Sequence, residues 1–245
     1  MKGTAQAFMR LRLGGLLGAL GIACIVRSWW GPVSSSLFKL MMLAGLFLVF
    51  AGLMIVFWRI PKVRWIIVAV PALIGVWLIL PIGGKVDRQL LNDAYVSELA
   101  TYEGVDYYWG GENRRGIDCS GLPREAMRQA LLKRSLKTGN PSLARRMLHL
   151  WAFDRSALAM GEEHEGETRL IATADRIIGM DHSQIQPGDL AIVGNGIHAM
   201  CYLGDHQWIE ADPAADEVIV IDARDTDNHW FKIRARFVRW SILYE

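Results

Sequence analysis

Residues 107–121 read Tyr107-Tyr-Trp-Gly-Gly-Glu-Asn-Arg-Arg-Gly-Ile-Asp118-Cys119-Ser120-Gly121. The stretch runs into a helical pattern carried by Leu122, Ala126, Gln129, Ala130 and Leu132-Lys133, in which Pro123 fits only a first turn. Cys119 therefore falls at a helix N-terminus, where the positive end of the dipole favours a thiolate. Free N–H groups at such an end can also hold an oxyanion. Gly110, Gly111 and Gly116 let the preceding loop fold back on itself. A solitary cysteine is most often a buried, inert thiol, but the polar flanks of Cys119 set it apart from Cys24, inside an apolar run, and Cys201, in a strand-like one. Three cysteines so placed build no disulfide framework.

A nucleophilic thiol needs a base and a group that orients the base. Ile185-Gln-Pro187-Gly188-Asp189 reads as a turn feeding a strand, Leu190–Val193. After Gly194-Asn195-Gly196 comes a second strand, His198–Leu203, then a tight turn at Gly204-Asp205-His206 and a third strand, Gln207–Asp212. A three-residue loop that pairs Leu203 with Gln207 sets Glu210 opposite Met200 and Asp212 opposite His198, with all four side chains on one face. Asp212 then reaches His198 directly across and Glu210 diagonally, so either carboxylate can orient the ring. A one-residue slip would turn both away.

Upstream of this region the chain changes character. Leu40–Trp58 is nineteen residues without a charge, and Trp65–Ile82 is eighteen more, interrupted by Pro71 and Pro81. At about 1.5 Å per residue each comes close to the roughly 30 Å hydrocarbon core of a bilayer. Their all-round hydrophobicity separates them from the amphipathic helices of a soluble surface. A kink at Pro71 is tolerable in lipid. Leu13–Val26 reaches only about 21 Å and spans only if Arg27 snorkels and the helix continues towards Trp30. Its basic start and short apolar run also fit a signal peptide, although Arg27-Ser28-Trp29-Trp30 offers no small-residue cleavage site. A lipid anchor on Cys24 is weaker again, because Gly21 stands where Leu or Val is wanted. The expectation is an all-α anchor of two to three helices over residues 1–84, with spans at about 12–30, 40–58 and 65–82.

Charge divides at the same place. Residues 1–82 contain Lys2, Arg10, Arg12, Arg27, Lys39, Arg59, Lys62 and Arg64 but no Asp or Glu, so all 25 acidic residues follow. The formal net charge of +2 hides this division. The basic residues sit between apolar runs and form no polar face, which argues against nucleic acid as a partner. Arg59-Ile-Pro-Lys62-Val-Arg64 marks a cytoplasmic loop and places everything after Ile82 on the outer side of the membrane. Trp29, Trp30, Trp58 and Trp65 fall at the expected interfaces with water. Beyond Gly83-Gly84-Lys85, the spacing of Leu90, Leu91, Ala94, Tyr95, Leu99 and Tyr102 predicts an amphipathic helix of about fifteen residues. Near the C-terminus Lys232, Arg234 and Arg236 alternate with Ile233, Ala235 and Phe237 as a strand with a solvated basic face, and Arg239 follows out of phase. No histidine pair has the spacing of a metal site.

Four motifs in order, Tyr107-Tyr-Trp-Gly-Gly, Asp118-Cys119-Ser120-Gly121-Leu122, Gln186-Pro187-Gly188-Asp189-Leu190, and His198 with Tyr202-Leu203-Gly204, make residues 88–215 similar to the NlpC-type papain-like cysteine peptidases of bacterial cell walls. The resemblance implies an α+β fold with helices packed on a small antiparallel sheet over residues 85–245. It implies Cys119 as nucleophile, His198 as base, Glu210 in the third, polar position, and Tyr107 as the tyrosine that assists the oxyanion. Asp118 and Ser120, with Trp109 and Asp212, are implied substrate-binding residues. Peptidoglycan stem peptides are the implied substrate, with no metal or organic cofactor, and the lipid bilayer holds the anchor. Three departures stand out. Pro123 and Met200 replace residues that are usually Val-like and Gly, Glu210 stands where His, Asn or Gln is commoner, and the 79-residue gap from Cys119 to His198 predicts a helical insert at about 136–180. Asn140-Pro141 can cap a helix there, and the insert can dock a membrane or wall-assembly partner. A non-hydrolytic scaffold that binds wall peptide or protein, and a thiol acyltransferase, are the alternatives to a peptidase.

Overall fold

The computed structural model describes residues 2–224 and 227–244. The chain divides into two compact units, Met1–Pro81 and Ile82–Glu245.

The first unit is three helices, α1 (Lys2–Trp30), α2 (Ser36–Phe57) and α3 (Pro61–Ile79). All three are long and apolar enough to cross a membrane. The fourteen-residue apolar core of α1 is extended on both sides, because nothing between Lys2 and Trp30 breaks a helix. Glycines let α1 and α2 approach closely. A methyl placed on Gly21 would lie 2.6 Å from the carbonyl oxygen of Gly45, and one on Gly45 would lie 2.7 Å from that of Gly21. Small residues at such crossings let helices pack in lipid, where the hydrophobic effect between them is absent. α2 starts four residues before the expected span because the Ser35 hydroxyl caps Phe38 N–H. α3 starts with Pro61 in its first turn, runs through Pro71, and stops ahead of Pro81, which keeps Leu80 extended at ψ 133°.

The second unit is α+β. Helix α4 (Arg88–Ala100) is capped by the Asp87 carboxylate and buries Leu91, Tyr95 and Leu99, while Leu90 lies on its exposed side. A two-stranded hairpin, β1 (Glu112–Asn113) and β2 (Gly116–Ile117), leads into α5 (Gly121–Thr138). Gly139 at φ 66° ends α5. Asn140 caps α6 (Pro141–Ala152) as its sequence predicts, and α7 (Ala157–Gly161) follows. Residues 136–180, expected to be a helical insert, also contain strand β3 (Thr168–Ala174), which lies at a sheet edge. With β4 (Leu190–Val193), β5 (His198–Gly204), β6 (Gln207–Asp212), β7 (Glu217–Asp222) and β8 (Ala235–Trp240), it forms an antiparallel sheet in the order β3-β8-β4-β5-β6-β7.

Leu91, Leu99, Leu122 and Ala126 from α4 and α5 share one core with Cys201, Ile209 and Val238 of the sheet. Met200, Trp208, Phe231 and Phe237 form a second core. Pairs Cys201↔Ile209 and Tyr202↔Trp208 have the register expected from the sequence, but Gly204, not Leu203, pairs with Gln207. Asp205 and His206, at φ 48° and 64°, make a two-residue turn of the kind that needs two left-handed residues, and a bulge at Leu203 absorbs the difference. The basic run also departs from its expected form. β8 begins only at Ala235, so Lys232 and Arg234 precede it. Arg239 breaks the alternation because its guanidinium forks onto the fully buried Asp189 at 2.7 and 2.8 Å.

Candidate active site

Cys119 lies two residues before the start of α5, ahead of the N-cap residue Ser120, and is 8% exposed. The backbone there is set by Asp118. One of its carboxylate oxygens accepts from Ser120 N–H, Ser120 Oγ and Gly121 N–H at 3.0, 2.9 and 2.6 Å, and the other accepts from Gly110 N–H at 2.9 Å. Asp118 thus caps the helix and clamps the glycine loop to it, and its oxygens face inward on the fold. Close backbone contact does the rest, since a methyl on Gly121 would lie 2.3 Å from the Gly111 carbonyl oxygen. Of the helix-end amides expected to be free for an oxyanion, those of Ser120 and Gly121 are bonded to Asp118.

His198 opens β5, and its side chain is 2% exposed. Its Nε2 is bonded to Oε2 of Glu210, and the Cys119 side chain acts on the same ring. Of the two carboxylates within reach on paper, Glu210 is the one against the imidazole. Burial by itself lowers the pKa of His198, but the interactions with Cys119 and Glu210 outweigh it and push the ring up to about 9. Glu210 is wholly buried, and its other oxygen accepts from Asn228 Nδ2 at 3.1 Å. Asn228 Oδ1 also caps the following turn through Trp230 N–H at 2.8 Å. The Trp230 indole lies flat on the His198 ring, with centroids 4.3 Å apart and planes 13° from parallel.

Tyr107 is held by its backbone, whose N–H donates to the Asp216 carbonyl at 2.8 Å. Partial burial, with the nearby charges of Cys119, Asp118 and Asp212, raises its phenol to about 12. It therefore keeps its proton and remains a hydrogen-bond donor. Asp212 accepts from Ala214 N–H at 2.9 Å and does not engage His198. Trp109 is 81% exposed at the tip of the glycine loop. Among the described residues no group of three His, Cys, Asp or Glu side chains is placed to hold a metal ion.

A buried thiol, imidazole and carboxylate in series, with a neutral tyrosine beside the thiol, occupy the stretch 107–210. The sequence profile of the NlpC/P60 family matches residues 104–236, more than half of the chain. The chain belongs to the NlpC/P60 family. Solved structures to which the chain is similar include the NlpC/p60 domain of the peptidoglycan hydrolase SagA, at 24% identity over 60% of this chain and 97% of that one, TM-score 0.36. They also include the peptidoglycan hydrolase RipB of Mycobacterium tuberculosis, at 20% identity over 69% of this chain and 76% of that one, TM-score 0.40. The P60 domain of an antigen from M. avium subspecies paratuberculosis is 19% identical over 63% of this chain and 97% of that one, TM-score 0.38. No curated protein sequence matches.

Within this NlpC/P60 unit, sequence reasoning passed over Asn228 and Trp230. The capping signal of Asn228 ahead of a short helical turn was legible. Its contact with Glu210 was not, because eighteen residues and strand β7 separate them in the chain. It also passed over the buried ion network of Glu112, Arg124, Glu125 and Arg128 beneath α5.

Proposed function

We propose that this chain is a membrane-anchored cysteine peptidase that hydrolyses amide bonds in the stem peptides or crosslinks of peptidoglycan. The observation that carries the reading is the buried His198–Glu210 pair on which the Cys119 side chain acts. Family membership supports the substrate class.

At neutral pH His198 takes the thiol proton, and Glu210 stabilises the resulting imidazolium. The Cys119 thiolate attacks the scissile carbonyl carbon. The oxyanion that forms is met by the Tyr107 hydroxyl and by the Cys119 N–H. The imidazolium gives its proton to the departing amine as the C–N bond breaks, leaving a thioester. Water then attacks the thioester, its proton passing to His198, and the new carboxylate leaves with the thiol restored. Trp109, Ser120 and Asp212 are assigned to substrate binding in this reading. Asp118 acts by positioning the helix end.

The three apolar helices support an anchor in the inner membrane. Arg59 in the connection between α2 and α3, with Lys62 and Arg64 in the first turn of α3, supports a cytoplasmic position for that end of the helices and an outward-facing peptidase unit from about residue 85. Digestion of purified sacculi by the wild type and by Cys119→Ala, with the muropeptides resolved, tests the activity. New amine and carboxylate ends are expected from the wild type only, and identical muropeptide profiles would sink the proposal.

A further inference from the structure

Arg124 sits one turn inside α5, is 5% exposed, and joins three separate parts of the fold. Its Nε donates at 3.1 Å to the carbonyl of Ser120, the residue after Cys119. Its Nη1 lies 3.1 Å from Oε1 of Glu112 on β1 and 3.0 Å from Oδ1 of Asp154, in the linker between α6 and α7. Arg128 holds the second Glu112 oxygen at 3.0 Å. Glu112 belongs to the hairpin that follows Tyr107, so the guanidinium ties the end of the nucleophile helix to the loop bearing the phenol. On the far side, α7 lies against the turn before His198. A methyl on Gly196 would meet Leu158 at 2.5 Å.

We propose that Arg124 is a positioning residue that sets the spacing of Cys119, Tyr107 and His198, and that Asp154 makes the α6–α7 stretch part of this apparatus. A guanidinium is the group suited to the task, because its planar fork directs several donors at fixed angles. Its burial is tolerable only while those partners are in place. The helix dipole and the Asp118 cap fix the end of α5 itself, but neither reaches the α6–α7 linker. Arg124 does.

The proposal rests on Cys119 being the nucleophile of the peptidase reading, and it is tested by two separable measurements on the full chain in detergent. The first is the rate of Cys119 alkylation by iodoacetamide across pH, followed by mass spectrometry of the Cys119 peptide, which needs no substrate. At pH 7, Arg124→Lys is expected to slow alkylation about 10-fold and the half-exposed Asp154→Asn about 3-fold, per folded molecule. Combining the two substitutions should slow it no more than Arg124→Lys alone. Unchanged profiles in both single variants would overturn the proposal, and additive effects would overturn the part assigned to Asp154. The second measurement is kcat and KM on muropeptides, where kcat should fall with KM within about twofold. A wild type that releases no muropeptide would refute the peptidase reading, while alkylation would still decide the role of Arg124.

Discussion

Glu210 is the residue that most distinguishes this site. An amide in its place would orient the imidazole without a charge, whereas a buried carboxylate also stabilises the protonated ring. The departing amine needs that proton, so activity should hold below the His198 pKa of about 9 and fall as pH rises through it. Glu210→Gln is expected to lower kcat about 10-fold and to shift the alkaline limb towards the ordinary histidine range. A limb left near pH 9 in that variant would separate Glu210 from the proton transfer. Asn228 supports the same carboxylate from behind. Asn228→Ala should cost about 1–2 kcal/mol in urea unfolding and reduce kcat, because it removes a buried hydrogen bond from the group that orients His198. At this scale the sequence reading had Cys119 and His198 but left Glu210 and Asp212 open. A period of two puts both carboxylates on one face, and only the three-dimensional path of β6 past the ring separates them.

The elements show where local and non-local forces divide. The glycine contacts of α1 and α2 leave no room for side chains, so Gly45→Leu should loosen the pair by about 1–3 kcal/mol, read as earlier loss of structure in SDS titration. In the sheet, Arg239→Met would leave Asp189 buried without its partner. That change should cost about 3–5 kcal/mol in urea unfolding, and the double replacement by apolar residues should recover much of it. Helices α4, α5 and α6, with strands β4, β5 and β6, were legible because periodicity, caps and turn residues are local signals. Strand β3 escaped, because its pairing with β8 joins residues about seventy apart and leaves little trace in its own composition. Leu203 was misplaced by one position for a related reason, since two left-handed turn residues and a bulge cost little and yield the same register beyond.

For the whole molecule, the raised pKa of His198 links folding to pH. The ring binds its proton more tightly in the folded chain than in the unfolded one. Its contribution is therefore complete below about pH 6.5 and lost as pH rises through about 9, amounting to about 3 kcal/mol at most. Unfolding midpoints of the second unit should fall over that window in the wild type and stay flatter in Glu210→Gln. Alkaline phosphatase fused after Glu245 should be active, and fused within residues 59–64 inactive, if the peptidase unit faces outward. The reverse pattern would remove peptidoglycan as substrate. The sequence by itself determined the division into apolar helices and an α+β unit, because charge, hydropathy and residue period are local and need no partner to be read. It also determined the Cys119 and His198 positions, through a helix start and a strand start. Only the tertiary structure decided which carboxylate meets the imidazole, that Asp118 serves the backbone, and that Arg124, Asn228 and Trp230 surround the site. Those contacts join residues far apart in the chain, and their energy exists only once burial has removed the competing water.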